Sequence, residues 1–275
     1  MKVKHLVGAF LCVLGCYACS SPKTEVQSPD GHIKMTLTVD ENGKPFYNVS
    51  VDDSLLIENS AMGFTAANGI ILAEGFQVKN TTFSSEDETW TQPWGENKKN
   101  RNHYNEMAVS LTNEDQVQLT LRFRVFDDGI GFRYEYTVPT VDSLLITDEL
   151  TTFRFHRDGT SWSIPASAET YELLYQQQPI SEVETANTPF TFKTADGVYG
   201  SIHEAALYDF PEMTLKQIGH YTLKAELAPW PDGIKARKGN HFTTSWRTIQ
   251  IAPEAVGLIN SSLILNIRDV RHNFR

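Results

Sequence analysis

Apolar and polar residues alternate with a period of two over much of the chain. From Ile33 to Val39, apolar residues such as Met35 and Leu37 alternate with lysine and threonine. This spacing places the apolar side chains on one face of a half-buried β-strand. The same alternation returns over residues 117–125, which is the clearest strand signal in the sequence.

Further strand-like segments are separated by short turns, such as the Asp-Asp-Gly at 127–129. They cover residues 46–51, 76–83, 107–112, 131–138, 144–155, 198–203, 221–227 and 243–251. Helical periodicity is scarce and predicts one short helix over 252–260 and a single turn over 180–185. The pattern predicts an all-β fold, a large antiparallel sandwich with few short helices.

One domain accounts for most of the chain. We place it at residues 32–267, after a polar tether over 20–31 that contains two prolines, and before a short tail over 268–275. No fixed-period repeat divides this region, and it has no βαβ alternation.

The first 19 residues have the features of an export signal. Lys2 and Lys4 precede an apolar run that is too short to span a bilayer stably, and Cys16 ends a lipobox-like Val-Leu-Gly-Cys sequence. Cys19 is the rival lipid site, and cleavage without lipidation is the alternative to both. The signal predicts export to the periplasm or cell surface of a Gram-negative bacterium as an outer-membrane lipoprotein, held to the membrane only through its lipid.

Charge and motifs exclude several classes of function. The formal net charge of −10 is the wrong sign for a nucleic-acid binder. A phosphate-binding glycine loop, a GxSxG serine elbow and an HExxH zinc helix are all missing from the sequence. His203 and Glu204 only imitate the zinc motif, because no histidine follows at the required spacing. All three cysteines lie within the first 19 residues, so a thiol nucleophile is excluded from the body of the chain.

Aromatic and hydrogen-bonding residues are concentrated between residues 88 and 106. Sugars favour this mixture, because their C–H faces lie against aromatic rings and their hydroxyls need polar partners. The interpretation that competes with a glycan site is a long structural loop anchored by buried tryptophans. The candidate substrate-binding residues here are Trp90, Trp94, Arg101, Asn102, His103 and Glu106.

A second segment, over residues 162–175, leaves a predicted strand and enters a loop with two carboxylates, Glu169 and Glu172. Calcium takes six to eight oxygen ligands, so composition alone makes these ordinary solvated side chains.

Seven motifs occur in the order found in the N-terminal domain of glycoside hydrolase family 97, which includes the α-glucosidase of a gut-bacterial starch-utilisation system. They occupy residues 28–30, 88–96, 101–106, 123–134, 186–189, 204–207 and 246–248. The sequence resembles this domain over roughly residues 26–267. The resemblance implies a β-supersandwich similar to galactose mutarotase, packed against a catalytic (β/α)8 barrel.

The resemblance also implies site chemistry. Family members similar to the α-glucosidase use barrel glutamates and a calcium ion, and one calcium ligand comes from the N-terminal domain. Glu172 occupies the matching position, with Glu169 as the alternative. Asn187, in the 186–189 motif, joins the candidate substrate-binding residues. The implied partners are an α-linked oligosaccharide of the α-glucosidase or α-galactosidase type and a barrel supplied in cis or in trans.

A (β/α)8 barrel needs about 250 residues, which this chain does not contain beyond the sandwich. We therefore expect the chain alone not to hydrolyse glycosides. Two alternatives stay open at this point. One is a free-standing carbohydrate-binding lipoprotein without catalysis, and the other is a mutarotase-like enzyme using His103, His203 and Glu204 as acid and base.

Overall fold

A computed structural model describes residues 24–67, 69–167 and 169–267, which form 22 strands and three short helical segments. The strands, in chain order, are β1 (Glu25–Gln27), β2 (Ile33–Val39), β3 (Pro45–Val51), β4 (Ser54–Ala61), β5 (Phe64–Ala66), β6 (Ile71–Leu72), β7 (Gln77–Thr91), β8 (Lys99–Thr112), β9 (Gln118–Phe126), β10 (Gly129–Thr137), β11 (Ser143–Glu149), β12 (Thr152–Arg154), β13 (Gly159–Ser163), β14 (Gln176–Pro179), β15 (Thr185–Ala186), β16 (Phe190–Thr194), β17 (Tyr199–Ala205), β18 (Met213–Gly219), β19 (Thr222–Leu227), β20 (Ala236–Gly239), β21 (His241–Thr243) and β22 (Trp246–Ala252).

The helical segments are a 3-10 turn, Ile180–Glu182, and two helices, α1 (Ala255–Asn260) and α2 (Leu263–Asn266). The predicted helix over 252–260 therefore begins three residues late, because β22 continues to Ala252. None of the helices in the described ranges has the length and apolar character needed to cross a membrane.

One large sheet of ten strands organises the domain. Its strands run in the order β14-β13-β16-β17-β22-β10-β9-β8-β7, with β21 paired to β10. Three smaller sheets have four strands each, in the orders β1-β2-β3-β4, β20-β11-β5-β6 and β12-β19-β18-β15. Every one of these strand pairs is antiparallel, so the predicted all-β antiparallel class is confirmed.

The smaller sheets cover the inner face of the large one and enclose the main core. The ring of Tyr47, on β3, lies 4.9 Å from that of Phe132 on β10, measured between centroids. Phe64, on β5, contacts Tyr134 of β10 at 5.0 Å, edge to face. Burying aromatic rings from both layers is the main source of stabilisation in such a sandwich.

The outer face of the large sheet carries a second, smaller apolar cluster. It contains Trp246 from β22 together with Leu263 and Ile267 from the segment of α2. The helix segment can lie this close because Gly131 has no side chain, and a Cβ there would overlap Cδ1 of Ile267. Gly131 therefore marks a position within a strand where the α2 segment approaches the sheet backbone closely.

Two sequence expectations differ from the structure. Residues 25–27 form β1, in which Val26 lies opposite Met35 of β2, so part of the expected tether over 20–31 belongs to the sandwich.

The expected loop over 88–106 is the outer half of a long hairpin, in which β7 pairs with β8 as far as Thr91 opposite Lys99. Both faces of this hairpin are polar, which removes the period-two signal of a half-buried strand. The export signal with Cys16, and the tail over 268–275, lie outside the described residues.

Candidate functional site

A cavity of about 360 Å³ lies where β17 extends past the end of β16. Phe190 is the first paired residue of β16 and lies opposite Ile202, so the next residues of β17 have no neighbour from that strand. The chain before β16 and the loop before β14 close the opening. The polar residues that line the cavity are Tyr171, Asn187, Thr188, His203, Glu204, Thr214 and Glu212.

Asn187 lines this cavity, which we call the Asn187 cavity, and its side chain is buried. Its side chain is 7% exposed, and its Oδ1 atom finds no hydrogen-bond partner among the described residues. Its backbone N–H donates to Ile164 O at 2.8 Å, which ties it to the loop after β13. A buried amide oxygen without a partner is costly, and the side chain that carries it belongs to the lining of this cavity.

His203 presents a neutral imidazole to the same cavity. Burial lowers the pKa of His203 below its ordinary value, because the charged form is poorly solvated there. Its Nδ1 atom lies 3.0 Å from Thr188 Oγ1, which in turn lies 3.3 Å from Met213 O, so the ring is held against the segment before β16.

Glu204 belongs to a buried ionic triad with Glu149 and Arg247. The guanidinium of Arg247 donates to Glu204 Oε2 at 2.6 Å and to both oxygens of Glu149 at 3.0 and 2.5 Å. Burial raises the pKa of Glu204, against the opposing charge of Arg247. The triad joins β11, β17 and β22, and it fixes the floor of the cavity rather than leaving Glu204 free for acid-base chemistry.

The loop between β13 and β14 forms one wall. Tyr171 donates its hydroxyl to both carboxylate oxygens of Glu212, at 2.7 and 2.8 Å, and this bond raises the pKa of Tyr171. The backbone N–H of Glu172 donates to Thr170 Oγ1 at 3.0 Å, while the side chain is exposed. Glu169 is exposed as well. The loop therefore offers carboxylates outward, beside the cavity.

A complete calcium site does not fit these residues alone. Within the described part of the chain, no group of three or more His, Cys, Asp or Glu side chains is arranged to hold a metal ion. Calcium needs six to eight oxygens, and an exposed Glu172 supplies at most two of them. These residues therefore fit at most one ligand position of a calcium ion, and the other ligands would have to come from outside the described residues.

The structure separates the other predicted sugar-binding residues. Trp90, Asn102 and Glu106 share the outer face of the hairpin, where Trp90 donates from Nε1 to Asn266 Oδ1 at 2.8 Å. Glu106 accepts hydrogen bonds at 2.6 and 2.8 Å from two arginines of β9, Arg122 and Arg124. These contacts anchor the hairpin to its own sheet.

The remaining hairpin residues point elsewhere. Arg101 forms a bidentate ion pair with Asp87, at 2.7 and 2.8 Å, on the face of the hairpin opposite to Trp90. His103 shares that face, with Nδ1 3.8 Å from Asp127 Oδ2, so the structure does not bring it together with His203. Trp94, at the hairpin tip, is 74% exposed.

Sequence reasoning missed Tyr171, Thr188 and Glu212 as residues of the cavity. Thr188 could have been found, since it follows Asn187 within a recognised motif. The pairing of Tyr171 with Glu212 spans 41 residues and has no sequence signal.

Comparisons with known proteins agree with one another. A family profile described as Glycosyl-hydrolase 97 N-terminal matches residues 26–269. A glycoside hydrolase family 97 enzyme from Pseudoalteromonas sp. strain K8, solved in complex with panose and with acarbose, superposes with a TM-score of 0.87 at 38% identity. The match covers 90% of this chain and 38% of that enzyme.

Two further relatives extend this result. A retaining alpha-galactosidase of Bacteroides thetaiotaomicron is 25% identical over 246 residues, which are 83% of this chain and 36% of the relative. A beta-arabinopyranosidase superposes with a TM-score of 0.81 at 19% identity, over 91% of this chain and 44% of that one, which shows a shared fold. The chain thus spans well under half the length of the relatives it matches.

Proposed function

The chain belongs to the glycosyl-hydrolase 97 family through its N-terminal domain, and on that premise we propose that it is the N-terminal domain of a working α-glucosidase or α-galactosidase. The observation that carries this proposal is the family match over residues 26–269, supported by the superposition at 38% identity. The catalytic carboxylates would then come from a (β/α)8 barrel in cis or in trans, and the chain alone would be inactive.

The substrate class we propose is an α-linked oligosaccharide. The Pseudoalteromonas enzyme was solved with panose and acarbose, which are of this class. The cavity supports the proposal because amide, hydroxyl, imidazole and carboxylate side chains line it, and sugar hydroxyls can hydrogen-bond to groups of all four kinds. Trp94 is the member of the hairpin set whose exposed ring remains available for stacking on a sugar.

We further propose that Glu172 contributes one ligand to a calcium ion shared with the barrel. When bound, calcium supplies positive charge beside the sugar. This chain's part is to hold one exposed carboxylate at the cavity's edge, on a loop fixed by the hydrogen bond between Tyr171 and Glu212. Glu169, three residues earlier on the same loop, serves as the matched comparison.

A domain exchange tests both proposals. Residues 24–267 would replace the corresponding domain of the Pseudoalteromonas enzyme, and panose turnover would be measured against calcium concentration. We expect an active chimera. Glu172→Gln should raise the calcium concentration for half-maximal activity about tenfold or more, because a charged ligand is lost, while Glu169→Gln leaves it unchanged.

Asn187→Ala in the same chimera should lower kcat/KM about tenfold, the value of one hydrogen bond to a ligand. An inactive chimera that nevertheless binds panose without calcium would contradict the catalytic proposal and favour a free-standing carbohydrate-binding lipoprotein. A shift produced by Glu169→Gln alone would transfer the ligand role to Glu169.

The proposed location is outside the cytoplasm. The signal in residues 1–19 supports export, and Cys16 supports a lipid anchor on the periplasmic or outer face of the outer membrane.

A further inference from the structure

A second cavity, of about 450 Å³, lies beside the first one, and the segment over residues 207–212 contributes to the lining of both. Leu207 and Glu212 line the Asn187 cavity, whereas residues 208–211 between them line the second. Two large aromatic side chains at its rim are unusually exposed: Tyr208 by 69% and Trp230 by 60%. We call this second cavity the Trp230 cleft.

The backbone holds Trp230 in a fixed position. Its N–H donates to Ile234 O, and its carbonyl accepts from Gly233 N, each at 2.8 Å, so residues 230–234 form a closed turn. Pro229 and Pro231 flank the tryptophan and restrict the backbone on both sides. A rigid turn therefore presents an apolar ring to solvent, which costs free energy in the isolated domain unless something covers it.

Three cations line the Trp230 cleft, and each is paired with a carboxylate, of which that of Asp209 also lines the cleft. Lys235 Nζ lies 2.7 Å from Glu226 Oε1, Lys238 Nζ lies 2.9 Å from Asp209 Oδ2, and Arg237 forms an ion pair with Asp232. A phosphate or carboxylate ligand would have to break these pairs to use the cations. A neutral polyol needs both donors and acceptors, and the pair of Lys238 with Asp209 places both in the lining of the cleft.

We propose that the Trp230 cleft binds a neutral, α-linked glycan chain, at a site separate from the Asn187 cavity. The sugar face stacks on Trp230 or Tyr208, and its hydroxyls hydrogen-bond to the paired charges around Arg237 and Lys238. The class of ligand rests on the proposed function. A glycan bound in the cleft would lie next to the Asn187 cavity, because the segment over residues 207–212 lines both.

The test is isothermal titration calorimetry, in which panose and maltoheptaose are titrated separately into the 275-residue chain. Trp230→Ala should weaken binding about tenfold, the value of one aromatic stacking contact with its buried area, and Trp230→Phe should retain most of it. Phe83→Ala removes another exposed ring, which is 51% exposed on β7, and should change nothing. Thermal melting confirms that each variant is folded.

Three results would overturn the proposal: no binding by the natural chain, binding unchanged in both Trp230→Ala and Tyr208→Ala, or binding lost only in Asn187→Ala. A change of oligomeric state in Trp230→Ala without a change in glycan affinity would also overturn it, because the ring would then cover a protein contact. None of these results affects the calcium dependence of the chimera, so the proposed function is tested independently.

Discussion

Replacing Arg247 with methionine should destabilise the domain more than any surface change. Arg247 is 1% exposed, and its removal leaves Glu149, which is fully buried, and Glu204, which is 7% exposed, without their cation. Breaking a buried ion pair in this way costs about 3–5 kcal/mol. The free energy of unfolding of a natural protein is usually about 5–15 kcal/mol, so this loss is a large fraction of it.

Urea unfolding followed by tryptophan fluorescence measures this loss. With a slope of about 3 kcal/mol per molar urea, the midpoint of Arg247→Met should fall by roughly 1–1.7 M. Arg157→Met is the matched control, because Arg157 is 60% exposed in its pair with Asp196 and should cost less than about 1 kcal/mol. Glu204→Gln should also cost less than Arg247→Met, since Arg247 keeps Glu149.

The pH dependence gives a second check on the same reasoning. In Arg247→Met the buried Glu204 loses the cation that opposes the effect of its burial, so its pKa in the folded state rises further above that in the unfolded state. A raised folded pKa on an acid means that stability increases as the pH falls, so the deficit of the variant should narrow on acidification. A loss no larger than that of Arg157→Met, or a deficit independent of pH, would refute the account of the triad.

Three further predictions concern the outer face and the anchor. Gly131→Ala should lower the free energy of unfolding by about 1–3 kcal/mol, because the added Cβ displaces α2. Thermal unfolding measures this loss, and amide exchange over residues 262–267 should become faster. Gly239→Ala is the control and should leave stability unchanged, because the space around its added Cβ is open. Burial raises the pKa of Glu135, but the hydrogen bond from Arg122 and nearby positive charge outweigh it and hold that pKa below its ordinary 4.5. The stability this carboxylate contributes is therefore present above pH 4.5 and is lost as the pH falls through the folded pKa. In Arg122→Met the free energy of unfolding, measured by urea titration, should therefore fall less steeply as the pH is lowered. An unchanged dependence of the unfolding free energy on acidic pH would contradict this. Cys16→Ser should remove the lipid from the exported chain, seen as a lower mass and release from membranes, and a variant still lipidated would transfer the site to Cys19.

The strands that could be predicted are those that bury one face and expose the other. β2 and β9 show this pattern, and their bounds match the sequence alternation to within one residue. The outer half of the β7–β8 hairpin could not be predicted, because its two faces are both polar and its stability comes from pairing with its own neighbour. Local sequence carries the first kind of information and not the second.

The candidate site depended on contacts that are distant in sequence. Asn187 and Glu172 became candidates through a family resemblance, since an isolated amide or carboxylate has no local signature. The burial of Arg247 between Glu149 and Glu204 joins residues 98 and 43 positions apart, which only the register of three strands brings together. The hairpin residues were selected by composition, and composition does not report which face a side chain occupies.

The central claim is that this chain acts as one domain of a glycoside hydrolase together with a catalytic barrel. Its most direct test is the intact mass, under native conditions, of the protein captured from its own membranes with an antibody to residues 24–267. We predict a mass that includes a barrel of about 250 residues, in the same polypeptide or bound to it, together with a lipid. A single lipidated chain close to 31.0 kDa with no bound partner would contradict the claim.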